Sequence, residues 1–507
     1  MEPYSRFTRI PCVKRKRDSY AIIRVVPRKP FVPLDERFFI IYHVYRKEFI
    51  MKKREKLSSR LGFIFLSAGC AIGLGNIWRF PYVTGKYGGG SFVLIYIFFL
   101  ILLGLPIIIM EFSVGRSSQL SIAKAMHSLE KKGQKWHLFS YLAMAGNYLL
   151  VMFYTTISGW MLSYLFKMIR GDFNGLNNQQ VQQAFQDLQA SPQLTIFWMV
   201  MVVFIGFIIC LLGLQKGVEK ITKLMMGSLL AVMLLLVIKS FTLSGFIEGI
   251  KFYLVPDFSK LMNEGVFNAI YAAMGQAFFT LSIGMGGMTI FASYLDKKRT
   301  LAGESINIML LDIFVAFTAG LIIFPACFSF GVDVSSGPSL VFVTLPNIFN
   351  AMGSAQLWGT LFFIFMNFAS LSTIIAVFEN IVSFSMDMFG CTRMRSVIVN
   401  FILIIILSTP AAIGSNILSF IQPLGPHSSI LDLEDFLVSN IIMPIGSLVF
   451  IFFCTRKIGW GWNTFIEEAN TGKGIKFPKK AQYYVSYLLP IIIIFIFIAG
   501  LIDTFSS

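Results

Sequence analysis

The sequence predicts an all-α polytopic membrane protein. Three observations carry that reading: of 507 residues, 56% are hydrophobic and only 14% charged, long apolar runs recur along the chain, and Lys and Arg crowd the short stretches between them. A net charge of +17 on a soluble protein would point to nucleic acid. Set between apolar spans, the same charge is the positive-inside pattern, and no nucleic-acid partner is expected. The partner that the composition does require is the lipid bilayer. The six Cys show no CxxC pair and no Cys/His cluster, so neither a disulfide framework nor a zinc site is indicated.

Stretches able to cross ~30 Å of hydrocarbon fall at about 60–81, 91–115, 138–168, 194–214, 220–240, 266–292, 305–329, 357–389, 396–414, 436–455 and 482–503, which gives about eleven helices. With the N-terminus in the cytoplasm, the inner loops hold Lys124, Lys131, Lys132 and Lys135, then Lys216, Lys220 and Lys223, then Lys297, Lys298 and Arg299, and later Arg393, Arg395, Arg456, Lys457, Lys473 and Lys476. The stretches 331–356 and 411–435 hold no Lys or Arg and face the other side. An odd helix count puts the C-terminus outside the cell, in a multi-pass protein of the inner (plasma) membrane. Two outer loops are long, and the one over 331–356 has Pro338, Pro346 and enough apolar residues to dip back toward the protein as a lid.

The first 50 residues are basic and lack both the apolar core of a signal peptide and a helical period. One reading is a disordered tail lying on anionic lipid. The other, which we expect, is untranslated sequence upstream of a start at Met51, because Arg46-Lys47-Glu48 can be encoded by a purine run of the ribosome-binding type. Residues 51–507 then form a single transmembrane domain.

Two spans are interrupted in the same manner, by "GCAIGLGNI" in the first and "FFTLSIGMGGMTI" in the sixth. An offset of five helices inverts one copy relative to the other, so an inverted repeat is expected, with halves at about 58–240 and 264–455 and an extra helix at about 482–503. A lone small-xxx-small match such as Gly69 to Gly73 would be helix packing. Two matched interruptions with polar neighbours point instead to a midplane site. Unwinding a helix at that depth frees carbonyls and N–H groups that cost several kcal/mol each unless something binds them. Freed carbonyls suit a monovalent cation, and the N-terminus of the following half-helix suits a carboxylate.

The stretch "SSRLGFIFLSAGCAIGLGNIWRFPYVTGKYGGGSFVLIY", from Ser58, resembles the first two helices of the neurotransmitter:sodium symporter family, specifically its bacterial amino-acid transporters of LeuT-type fold. The resemblance extends over about 52–504, and its most specific part runs from Gly69 through Pro81. It implies a sodium-coupled symporter importing amino acids by alternating access, with helices 1, 2, 6 and 7 rocking against 3, 4, 8 and 9. It implies two sodium ions: one on the Ala71 carbonyl, Asn76, Thr280 and Asp312, completed by the substrate carboxylate, and one on the carbonyls of Gly69, Ile72 and Ala369 with the hydroxyls of Ser372 and Thr373. All are oxygen ligands, as a hard cation requires. Asp312 departs from members that have Asn there and use chloride to offset sodium. Its carboxylate supplies that charge, so chloride is not expected to be required, and Tyr96 and Gln276 become hydrogen-bonding core residues.

By the same resemblance the substrate contacts are Ala71, Gly73, Leu74, Gly75, Leu150, Tyr154, Phe279, Thr280, Ser282, Met285, Thr373 and Val377. Tyr154 would bond the substrate carboxylate and Phe279 would close over it. Gly73 stands where monoamine-transporting relatives have an Asp, which argues for amino acids. The glycine-rich break beside Met285 is expected to be wide and deformable, which favours hydrophobic or aromatic side chains. Arg79 with Asp435 would form an outer gate, and Arg54 with Asp387 beneath Tyr294 an inner one, although each Arg could instead snorkel at the interface. Other readings stay open: a carrier of the same fold for another solute or coupling ion, or an ion channel, although no pore-loop motif is present. An enzyme is disfavoured, because His43, His127, His137 and His427 are scattered and none lies in a span beside a nucleophile or carboxylate pair. The oligomeric state is not specified by the sequence.

Overall fold

The computed structural model describes residues 55–263, 265–331, 340–351, 354–426 and 428–506, with side chains to 502. The basic extension and Arg54 lie outside the described residues, as do 332–339 of the expected lid. The described chain is helical throughout, and its strand-like pairings are isolated bridges at Gly89 with Pro256 and Arg299 with Lys473. Among the described residues nine helices are long and apolar enough to cross a membrane, and the pair Arg60–Ala71 and Gly75–Lys86, bent by 54°, makes a tenth. Val266–Thr280 and Gly287–Ser293 occupy the place of the sixth expected span as two short helices parted by residues 281–286.

Local chemistry sets where these helices deform. Wide, π-helical turns end at Arg79, Gly104, Thr344, Ile442 and Leu488. In each of these five a Pro follows two residues later, at Pro81, Pro106, Pro346, Pro444 and Pro490, whereas a further such turn, Leu214–Glu219, has none. A Pro lacks the N–H and its ring crowds the carbonyl four residues back, so the preceding turn relaxes to a wider hydrogen-bonding step. The break in the first span is of another kind. Ile72 leaves the helix in extended conformation (φ −76°, ψ 100°), and the wide turn Gly75–Arg79 restarts it.

In the sixth span the backbone turns left-handed at Ser282 (φ 50°), Gly284 (φ 90°) and Gly286 (φ 73°). For Ser282 that conformation is strained by roughly 1 kcal/mol or more. Its hydroxyl donates to the Cys70 carbonyl at 3.0 Å, tying the two breaks together. The break is not the wide gap expected from its glycines. A Cβ on Gly284 would lie 2.2 Å from the Met443 carbonyl oxygen, so the tenth span (Ile430–Thr455) packs directly on this backbone.

The third span (Phe139–Arg170) and the eighth (Ala355–Phe389) form the buried centre against which the broken helices lie. The lid does dip inward over its described part. Leu340–Ala351 is helical with Leu340, Val341 and Phe342 buried, and Phe342 packs on Trp78, Trp160, Tyr164 and Phe185. Beside it, Asn178–Ala190 is started by a capping box in which Asn177 and Gln180 satisfy each other's backbone N–H groups.

Candidate substrate and ion site

Asp312 is the hub of one polar cluster. It sits fully buried in Leu301–Phe330, where Oδ1 accepts from Asn76 Nδ2 at 2.8 Å and from Thr280 Oγ1 at 3.1 Å. Its Oδ2 accepts from Thr280 Oγ1 at 3.0 Å and from Tyr96 Oη at 3.4 Å. Asn76 is itself oriented by the Gly73 N–H, 3.2 Å from its Oδ1. The fold thus joins the broken first span, the end of Val266–Thr280 and the seventh span at one carboxylate. Gln276, one turn before Thr280, donates to the Gly75 carbonyl at 2.8 Å, so it braces the restart of the first helix.

A second cluster gathers around Thr373. Its Oγ1 lies 3.0 Å from the Gly69 carbonyl oxygen, 3.3 Å from that of Ile72 and 3.4 Å from that of Ala369. Ser372 Oγ lies 2.9 Å from the Ala369 oxygen. Two hydroxyl protons therefore face three carbonyls, and both hydroxyl oxygens keep lone pairs. A surplus of buried oxygen acceptors at one point is the arrangement a dehydrated alkali cation fits.

Between the clusters lies a small cavity. Of the expected contact residues, Ala71, Gly73, Gly75, Leu150, Tyr154, Phe279, Ser282 and Thr373 line it, together with Cys70 and Met443. Leu74 faces the larger cavity above, and Thr280, Met285 and Val377 are buried behind these walls. Tyr154 Oη accepts from the Leu74 N–H at 2.8 Å, which leaves its own proton to donate. A Cβ on Gly73 would lie 2.1 Å from Tyr154 Oη and 2.5 Å from Thr373 Oγ1, so any side chain here displaces the groups that build both features. The cavity measures about 10 Å³, space for about one water, so Phe279 and its neighbours must move to admit a solute.

Each end of the molecule carries charged residues at a larger opening. Above the cavity is a vestibule of about 530 Å³, walled by Trp78, Phe153, Ile157 and Asp435 among others. Arg79 reaches Asp435 at 3.9 Å, but the tighter route is indirect: Arg79 Nη1 donates to Ser439 Oγ at 3.0 Å, and Ser439 donates to Asp435 at 2.8 Å. The guanidinium also lies 4.9 Å from the Phe279 ring centre, coupling the outer pair to the cavity roof. At the opposite end a cavity of about 280 Å³ lies beside Tyr294 and the pair Arg60 and Glu304, 3.0 Å apart. Tyr294 Oη donates to Glu379 at 2.9 Å, Glu379 pairs with Arg393 at 2.7 Å, and Asp387 accepts from the Ser121 N–H at 2.8 Å.

The profile of the sodium:neurotransmitter symporter family matches residues 54–181 and 172–507. The chain belongs to that family. The symporter is 34% identical over 449 residues to an uncharacterized sodium-dependent transporter, YhdH, of Bacillus subtilis, an alignment covering 88% of this chain and 98% of the relative. It is 27% identical to a sodium-dependent serotonin transporter of Drosophila melanogaster over 80% of this chain and 71% of that one. Among solved structures it resembles the crystal structure of MhsT in complex with L-phenylalanine, with TM-score 0.80, 34% identity and coverage of 88% of this chain and 99% of that one. The symporter is accordingly a multi-pass, sodium-coupled membrane transporter of LeuT-type fold.

Sequence reasoning passed over several residues of this site. Glu111 is fully buried in the second span and accepts from the Gly284 N–H, bracing the break of the sixth. Glu379 links Tyr294 to Arg393. Both were readable as acids inside apolar runs, which are functional by default. Met443 gave no such signal, being one apolar residue in an apolar helix.

Proposed function

We propose that the symporter imports amino acids with hydrophobic or aromatic side chains, using two sodium ions and no chloride. The observation that carries this reading is one cavity that presents Tyr154 Oη and is built by the same broken first span that carries both the buried Asp312 carboxylate cluster and the surplus carbonyls around Thr373. In this reading one sodium lies among the Ala71 carbonyl, Asn76, Thr280, Asp312 and the substrate carboxylate. The other lies among the Gly69, Ile72 and Ala369 carbonyls, Ser372 and Thr373. The substrate carboxylate accepts from Tyr154 and the backbone at Leu74 and Gly75, while its side chain is enclosed by Leu150, Phe279, Met443 and their neighbours. The phenylalanine bound to MhsT supports an aromatic substrate here.

Asp312 supplies the negative charge that a chloride ion would otherwise bring. Because both ions share the first helix, and one also touches the substrate, occupancy by sodium and solute is coupled, and loading biases closure of the vestibule through Phe279, Arg79 and Asp435. Asp387 and Tyr294 belong to the opposite gate, with Arg54 as the expected partner. The dense Lys and Arg of the loops at that end support a cytoplasmic N-terminus. Transport rather than turnover is the proposed activity. The test is uptake of labelled amino acids into proteoliposomes under an inward sodium gradient. Accumulation of unaltered solute above equilibrium, lost when sodium is replaced, supports the proposal; equilibration without accumulation would indicate a channel, and a changed solute an enzyme.

A further inference from the structure

The loop between the second and third spans contains the helix Ile122–Leu129 and the turn Trp136–Leu138. Read along the sequence, its two histidines are unrelated. In the fold, His127 Nδ1 lies 2.7 Å and His137 Nδ1 2.6 Å from a single oxygen, Oε1 of Glu130. The imidazoles meet edge to face with ring centres 5.0 Å apart, and the three ligand-type atoms lie within 4.8 Å of one another.

A simple loop clasp does not account for this arrangement. Glu130 already closes the loop with its other oxygen, which accepts from the His137 backbone N–H at 3.2 Å. His127 is 67% exposed in its side chain, and an exposed pair of that kind adds little stability. What His127 does add is a second imidazole at the same carboxylate oxygen.

We propose that His127, Glu130 and His137 form a binding site for a divalent transition cation of the zinc class, with water as the fourth ligand. Two imidazoles and one carboxylate are a donor set that such cations take with an open fourth position. Bonds of ~2.0–2.1 Å place tetrahedral ligand atoms roughly 3.3 Å apart, so the nitrogens must draw back from the carboxylate oxygen by well under 1 Å. Each imidazole then carries its proton on Nε2 in place of Nδ1. Lys124, Lys131, Lys132 and Lys135 of the same loop oppose a dication, so the affinity rests on direct bonds to the two nitrogens and the carboxylate oxygen. The cation would brace a loop that touches two working parts: Ser121 N–H donates to Asp387 at the end of the eighth span, and Ile122 packs on Gly286 in the sixth.

The test is titration of the purified full-length protein, prepared without a polyhistidine tag, with Zn²⁺ against a chromogenic chelator and with Co²⁺ followed by visible absorption. One equivalent of metal and the d–d bands of four-coordinate cobalt are expected. Both His127→Ala and His137→Ala should weaken binding at least about tenfold, the loss of one metal–ligand contact. Melting temperature measured without metal reports folding; if His137→Ala fails to fold, the exposed His127→Ala carries the test. No saturable binding below ~100 μM, or binding unchanged in His127→Ala, overturns the proposal. Neither readout depends on transport.

Discussion

The two acceptor clusters beside the broken helices are built from the same first span, yet they differ in charge. The Asp312 cluster holds a carboxylate shared by Asn76, Thr280 and Tyr96. The Thr373 cluster is neutral, made of three carbonyls and two hydroxyls on the first and eighth spans. A buried charge without a counter-ion is costly, whereas surplus carbonyls are only moderately so. The first cluster should therefore depend on its ion for charge balance, and the second on geometry alone.

Four measurements would break or sharpen that contrast. Asp312→Asn preserves shape and removes the charge, and should lower sodium-driven uptake about 100-fold, or ~3 kcal/mol, as expected for losing one partner of a buried ionic contact. A loss of less than about threefold would erase the distinction between the clusters. Thr373→Val removes one hydroxyl from the neutral cluster at constant shape. It should raise the sodium concentration for half-maximal uptake about tenfold, equivalent to ~1.4 kcal/mol.

A smaller effect is expected outside the clusters. Ser439→Ala cuts the relay from Arg79 to Asp435 and leaves their partly exposed 3.9 Å contact, so substrate release toward the vestibule should accelerate about threefold. Efflux of preloaded label measures it. The smallest effect is the most specific: replacing chloride by gluconate should alter uptake by less than about twofold in the natural sequence, and chloride should stimulate only Asp312→Asn. Collapse of uptake in gluconate would remove Asp312 from its charge-balancing role.

The two breaks also differ in how far they could be read from the sequence. In the first span, Gly73, Gly75 and Asn76 stand inside an apolar run, and the structure finds no room for a side chain at Gly73 because Tyr154 and Thr373 close on it. In the sixth, the glycines suggested looseness, and the structure shows the opposite: they let the Gly284 backbone pack against Met443 while Glu111 bonds to it. Glycine announces an unusual backbone without saying whether space or close contact is the reason. The inner gate was expected from Arg54 and Asp387 beneath Tyr294; Arg54 lies outside the described residues, and the fold shows Tyr294 bonded to Glu379, which pairs with Arg393, a link not visible in the sequence.

Hydropathy and loop charge were enough to determine a multi-pass helical protein, and the matched interruptions marked which two spans break, because each depends on neighbours a few residues away or on transfer into lipid. Only tertiary structure decided which oxygens meet. Asn76 and Asp312 are 236 residues apart, Thr373 and Gly69 are 304 apart, and the fold sets them within hydrogen-bond distance. An ion site is an energy of converging distances, and no local pattern encodes a distance between remote segments.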